Sequence, residues 1–262
     1  MLESICNPRL DLGNWLWQAL EPFDPANGND GRQHGQEDDE YFLPSMQYRS
    51  LAQVINCIKH PETNGPDIAQ SYLLFKQDEV KLRRIVGQAT RSSEKNPKQG
   101  SLKRVMRDYS AIYAVLITFM MILNGIQQAT QPTSQSFLSS DATDLVDTSL
   151  ALAKVTSQYR PLGGEHIPFC LILAWLLAKE AGEKRQMEEV AALLSEWQSD
   201  FKQTRWMDLA TWWAGRFKAL RHRRQKWVRA GEGVIPLESV ESAELTGPVR
   251  YDGGVQGVCC VQ

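Results

Sequence analysis

Cysteine is scarce in this chain: Cys6, Cys57, Cys170, Cys259 and Cys260 are scattered, and no C-x-x-C pair occurs. That spacing excludes a disulfide framework and a thiolate zinc module. Excess charge of one sign is also lacking. The 29 Lys and Arg residues against 31 Asp and Glu leave a formal charge of −2, so any attraction to nucleic acid or anionic lipid has to come from a local patch. The longest apolar run, Ala111 to Leu123, is interrupted by Thr118 and closes at Asn124-Gly125. It falls short of the roughly 20 residues a membrane span needs and reads as a buried core helix. No charged-then-apolar leader with a cleavage site opens the sequence, so a reducing compartment, cytosol or nucleus, is expected.

Catalytic signatures are missing as well. There is no G-x-S-x-G elbow, no phosphate-cradling glycine loop ending in Lys-Ser/Thr, no G-x-G-x-x-G and no H-E-x-x-H. Gly163-Gly164 before His166 offers backbone donors but no neighbouring nucleophile, and reads as a helix-entry turn. The stretch Ala26 to Glu37 sets Asp30, Gly31 and Glu37 at the fifth, sixth and twelfth places of a calcium loop. Ala26 and Gly28, however, supply no side-chain oxygen at the first and third. His34 beside Glu37, Asp38, Asp39 and Glu40 reads as a solvated acidic loop, and Cys259-Cys260 are adjacent rather than spaced for chelation. No catalytic, cofactor-binding or metal-binding residue is therefore assigned, and the expectation is a non-enzyme without cofactor.

What the sequence does have is helical periodicity. With 42% hydrophobic and 23% charged residues the chain is long enough to bury a real core. Leu10, Trp15, Leu16 and Leu20 suggest a first helix, stopped by Pro22 and Pro25 and followed by an acidic loop over 26–40, expected to be mobile. Leu51, Val54, Ile55 and Ile58 predict a helix over 47–59. A third helix follows, capped by Asp67, with Ile68, Tyr72, Phe75, Leu82 and Val86 inward. A fourth, about 101–128, is apolar on all sides from Ala111 onward and is the expected centre of the core.

Beyond a loop over 130–140, Asp141 is a candidate cap for a helix with Leu145, Leu152 and Val155 inward. Pro161 to Gly164 form a turn, Pro168 sits in the first turn of the next helix, and Gly182 separates it from a helix with Met187, Val190, Ala191, Leu194 and Trp197 on one face. The last helix, about 203–227, aligns Trp206, Leu209, Trp213, Phe217 and Leu220. Trp175, Trp197 and Trp213 all fall on apolar stripes and are expected to be mostly buried. With no strand-period segment and no internal repeat, the fold class is all-α, orthogonally packed or bundle-like. One helical domain is expected over 1–227, with a subdivision near 130–140 as an option, then an irregular tail over 228–262.

Two features of the C-terminal region point outward. The cations Arg216, Lys218, Arg221, Arg223, Arg224, Lys226 and Arg229 interleave with Trp212, Trp213, Phe217 and Trp227. They admit a nuclear-import signal, a surface for nucleic acid or an acidic partner, or a calmodulin-type helix. The structural alternative is a helix whose cations complement its dipole while its aromatics enter the core. The terminal Cys259-Cys260-Val261-Gln262 fits a prenylation box at Cys259. One prenyl chain gives only weak membrane attachment without a second signal.

Five segments resemble the C-terminal regulatory region of fungal zinc-binuclear-cluster transcription factors. They are LGNWLWQALEPFDP (Leu12 to Pro25), YFLPSMQYRSL (Tyr41 to Leu51), YAVLITFMMILNG (Tyr113 to Gly125), YRPLGGEHIPFCLILAW (Tyr159 to Trp175) and RWMDLATWWAGRF (Arg205 to Phe217). The resemblance implies a helical, nuclear protein that regulates transcription, often of a biosynthetic gene set. It implies protein partners, a DNA-binding transcription factor among them, with homo- or hetero-oligomers allowed. The six-cysteine DNA-binding module of that family has no counterpart in this sequence, so no zinc-binding or DNA-contacting residue is carried over and specific DNA recognition by this chain alone is not expected. Two alternatives stand beside it: an interaction protein tethered to a membrane through Cys259, and an enzyme of unrecognised type using an apolar pocket near His166 or a tryptophan.

Overall fold

Offsets of three and four between Leu51, Val54, Ile55 and Ile58 put all four side chains on one face of helix α1 (Tyr48–Lys59), and all four are buried. His60, the residue before Pro61, leaves the helical region at φ −125° and ψ 60°, ending the helix where the proline ring disfavours the α conformation. The computed structural model describes residues 42–95, 100–130, 135–160, 164, 166–200 and 206–230. The expected first helix, the acidic loop over 26–40 and the tail from 231 onward lie outside the described residues.

Six more helices follow: α2 (Gly65–Lys95), α3 (Gly100–Thr130), α4 (Gln135–Thr156), α5 (Ile167–Ala181), α6 (Lys184–Gln198) and α7 (Trp206–Ala230). Two single-turn 3-10 helices, Pro44–Met46 and Ser157–Tyr159, precede α1 and follow α4, and no strand occurs among the described residues. The fold is all-α, as the periodicity predicts.

Helix α3 is the hub, touching α1, α2, α4, α5 and α7. Its window Met106–Thr130 is the one helix among the described residues long and apolar enough to cross a membrane, but 78% of that window is buried. It lies antiparallel to α2, because Ile68, Tyr72, Phe75 and Glu79 meet Gln127, Asn124, Phe119 and Tyr113 in descending order. Helix α5 is the second buried element: from Ile167 to Ala178 every residue except Trp175 is buried. Pro168 sits in its first turn, and Gly182 at φ 75° ends it. There the Gly182 N–H bonds to the Lys179 carbonyl and the Glu183 N–H to that of Ala178, the paired closure that a left-handed residue makes available.

Several local expectations give way to tertiary context. Helix α2 starts at Gly65, so Asp67 lies within its first turn instead of capping it. Helix α4 starts at Gln135, and Asp141 lies inside it, turned toward α2 instead of its own N-terminus. Ala191 is exposed, and Leu193 packs against the core in its place. The three tryptophans keep to expectation: Trp197 and Trp213 are fully buried, and Trp175 is mostly covered, packed against the core with the Lys179 ammonium 4.8 Å from its ring centroid.

Candidate functional site

The basic helix α7 is the chief candidate, and its periodicity decides what each cation does. Trp213, Phe217 and Leu220 form the buried stripe. Phe217 can enter because Gly125 faces it on α3: a Cβ there would stand 2.6 Å from Cζ of the ring. On one flank of the stripe Arg216 donates from Nη2 to the carbonyls of Ile58 and Lys59, the latter at 3.2 Å, satisfying the free carbonyls at the C-terminus of α1. One side further along, Arg223 pairs with Glu62 at 2.5 Å. On the opposite flank Arg221 forms a two-pronged pair with Glu180 at the end of α5, with Nη2 to Oε1 at 2.8 Å. Lys218 and Lys226 are exposed on the outer face with His222, and Arg224 is half-exposed.

The seven predicted site cations are thus divided by the fold. Arg216, Arg221 and Arg223 hold α7 to α1, α5 and the α1–α2 turn, Arg224 is half-buried on the line of Phe217 and Leu220, and Lys218 and Lys226 are the part that faces outward. The backbone of Arg229 belongs to α7, but its side chain lies outside the described residues, as does Cys259. Sequence reasoning missed Glu62 and Glu180 as partners, since they stand 161 and 41 positions away and no local pattern links them.

A second set of polar groups lies between α2, α3 and α4. Glu79 is buried and accepts the Tyr113 hydroxyl at 2.6 Å and the Arg83 Nε at 2.8 Å. Asp141 accepts the Lys76 ammonium at 2.8 and 2.9 Å and the Tyr72 hydroxyl at 2.9 Å. Asn124 donates to the Leu138 carbonyl at 3.0 Å and is itself bonded by Gln128 at 2.6 Å. Asp78, also buried, accepts the Ser45 N–H at 2.7 Å and so anchors the segment before α1. Burial first, and then their carboxylate neighbours, hold the Tyr72 and Tyr113 hydroxyls well above the ordinary tyrosine range. Each carboxylate has donors that compensate its desolvation, which makes this a structural seam.

The thiols are not activated. Burial pushes Cys170 up to about 11, and it donates to Ser149 Oγ at 3.4 Å; burial and Asp67 push Cys57 up to about 11 as well. His166 is the residue before α5, half-buried, with the Cys170 N–H on its carbonyl. Beside it, Gly164 admits the Trp197 ring: a Cβ would come within 2.4 Å of Cη2. Arg160 lies over the same ring at 5.1 Å and pairs with Asp200 at 2.5 Å. Arg160 and Gly164 therefore clasp α6 from two sides of the Trp197 ring. Among the described residues no group of three or more His, Cys, Asp or Glu side chains is placed to hold a metal ion.

No protein-family model matches the chain, and no curated protein or solved structure is significantly similar to it.

Proposed function

We propose that this protein regulates transcription through contacts with other proteins, most directly a DNA-bound factor in the nucleus, and that it controls a biosynthetic gene set of the kind governed by fungal zinc-binuclear-cluster regulators. The observation that carries this reading is the ordered series of five segments from Leu12 to Phe217 that resemble the regulatory region of that family. The first segment lies outside the described residues; the geometry supports treating the other four as parts of one unit. Ser45 bonds to Asp78, Gly125 receives Phe217, and Arg160 with Gly164 encloses Trp197. In each case a segment quoted for the resemblance supplies a residue that fixes one helix to another. The outward Lys218 and Lys226 remain available to an acidic partner or an import receptor.

Deleting the gene in the source organism and profiling transcripts tests the reading. Altered transcription of a clustered gene set is expected, and unchanged transcription of all neighbouring genes would overturn it. DNA recognition is tested separately. Specific readout requires an element seated in a groove with side chains on base edges, and three of the α7 cations are already committed to Glu62, Glu180 and the end of α1. A mobility-shift titration of the purified chain at physiological salt is expected to show only salt-sensitive binding, with dissociation constants on the order of 10⁻⁴ to 10⁻⁶ M. A preference for a promoter over scrambled duplex above about 1,000-fold would show that the chain finds its own address.

A further inference from the structure

Helix α7 carries one acid, Asp208 in its first turn, and none from Leu209 to Ala230. At about 100° per residue, Arg221, Lys218, His222, Lys226 and Arg223 follow one another over about 200° of its circumference, opposite the buried stripe of Trp213, Phe217 and Leu220. The exposed residues between Gly215 and Lys226 are Gly215, Lys218, His222, Gln225 and Lys226, so this arc has no exposed apolar side chain. Carboxylates from other elements close its two edges. Glu180 holds Arg221 and Glu62 holds Arg223, with each arginine side chain still more than a third exposed.

Gly215 lies on the same arc. A glycine weakens a helix interior. At Gly125 and Gly164 the missing Cβ admits an aromatic ring, whereas a Cβ at Gly215 would meet nothing within 4 Å. The space it leaves faces solvent, where an outside backbone can approach closely.

We propose that this arc of α7 is a contact strip for the phosphate backbone of a nucleic acid, and that Glu62 and Glu180 limit its strength by occupying the two edge arginines. Its role rests on the reading of the chain as a protein brought to DNA by a bound factor: the factor supplies the address, and the strip adds a contact that reads no sequence. Duplex DNA presents one negative charge per about 1.7 Å and needs no apolar complement. An amphipathic partner helix or a bilayer surface needs one, and the arc offers none. Phosphate oxygens compete with the two carboxylates for the same guanidinium forks, so each arginine recruited exchanges an internal partner for an external one.

The test follows the full chain by fluorescence anisotropy on a labelled duplex of arbitrary sequence, from low to physiological salt. Glu62→Gln with Glu180→Gln is expected to bind at least about threefold more tightly at low salt, and its plot of log affinity against log salt should steepen by about 0.9 for each arginine released. Asp144→Asn with Asp147→Asn removes the same two charges from exposed positions on α4 and should leave both readouts near the parent. Lys218→Gln with Lys226→Gln should make the slope shallower, and Gly215→Gln should weaken binding while melting no lower than the parent. Melting curves establish that each variant is folded; should the glutamate pair unfold, Glu62→Gln and Glu180→Gln are compared singly, each with half the change in slope. An absence of salt-sensitive binding by the parent, equal tightening by the α4 variant, or an unchanged slope in the folded glutamate variants would overturn the proposal. So would polyglutamate or anionic vesicles that bind the parent as tightly as the duplex does, since the partner would then be an acidic protein or a lipid surface. Duplex binding with these slopes but no transcript change on gene deletion would keep the strip and remove the regulatory reading. Transcript changes without duplex binding would do the reverse.

Discussion

Two regions of this protein are held together by opposite means. In one of them large aromatics enter spaces left by glycines: Trp197 of α6 at Gly164, ahead of α5, and Phe217 of α7 at Gly125 of α3. Between α2, α3 and α4, carboxylates and buried tyrosines are matched donor to acceptor, as in Glu79 with Tyr113 and the half-buried Asp141 with Tyr72. The first kind of packing is non-directional and tolerates small shifts but not an emptied volume. The second is directional, and an incomplete network is worse than none. Helix α3 belongs to both, presenting Tyr113 and Asn124 to the polar seam and Gly125 to Phe217.

The largest expected effect lies in the aromatic region. Trp197→Ala should destabilise by about 3–5 kcal/mol in denaturant titration, the usual range for emptying a site filled by a large buried aromatic. Gly164→Ala should cost about 1–3 kcal/mol by overpacking, because its Cβ would approach Trp197 Cη2 to 2.4 Å. The two should be strongly coupled, with Gly164→Ala nearly neutral once Trp197 is alanine. Simple additivity would break the description of this region as ring against glycine.

The polar seam should respond in a smaller and more chemical way. Tyr113→Phe preserves volume but removes the hydroxyl from Glu79, leaving Arg83 as that carboxylate's remaining donor. The expected loss is about 1–3 kcal/mol, the cost of leaving a buried polar group under-satisfied. A loss below about 0.5 kcal/mol would mean that water replaces the phenol and that the seam is not tightly closed.

Alkaline pH sharpens the same contrast. Cys170 ionises at about 11 in the native chain against an ordinary 9.0. The native state therefore holds more protons across that window, and the contribution is complete below about 9 and lost as pH rises through about 11. Tyr72 and Tyr113, raised above an ordinary 10.0, add loss of the same sign at higher pH. The urea midpoint should be lower at pH 10.5 than at pH 8, and the drop should shrink in Cys170→Ala. An unchanged midpoint would show that these groups reach water.

These regions also differ in how far the sequence discloses them. The apolar stripes of α1 and α7, and that of α6 apart from Ala191, follow from spacing alone, and burial of Trp197 and Trp213 follows from them. Asn124-Gly125 reads as the end of an apolar run, and Asp141 as a cap, because local chemistry favours both readings. Their actual roles are set by Leu138, Tyr72, Lys76 and Phe217 on other helices, which no local pattern announces. The candidate site shows the same division: the basic run of α7 is legible as a run, but which cations are structural depends on Glu62, Glu180 and the end of α1.

That division gives the smallest and most discriminating expectation. Lys218→Gln with Lys226→Gln removes two exposed cations from the outer face of α7, and stability should stay within about 0.5 kcal/mol of the parent, as is usual for surface positions. Arg216→Gln changes charge on the same helix but withdraws a guanidinium from the carbonyls of Ile58 and Lys59. Charge-assisted bonds of this kind contribute about 1.5–3 kcal/mol, partly reinforced by the negative end of the α1 dipole. If the lysine pair acts outward, its removal should reduce non-specific binding to duplex DNA and weaken the salt dependence, roughly one counterion fewer for each phosphate that is no longer neutralised, while the melting curve stays in place. A lysine variant that unfolds as readily as Arg216→Gln would place the whole basic run in the structural class and leave α7 without an outward function.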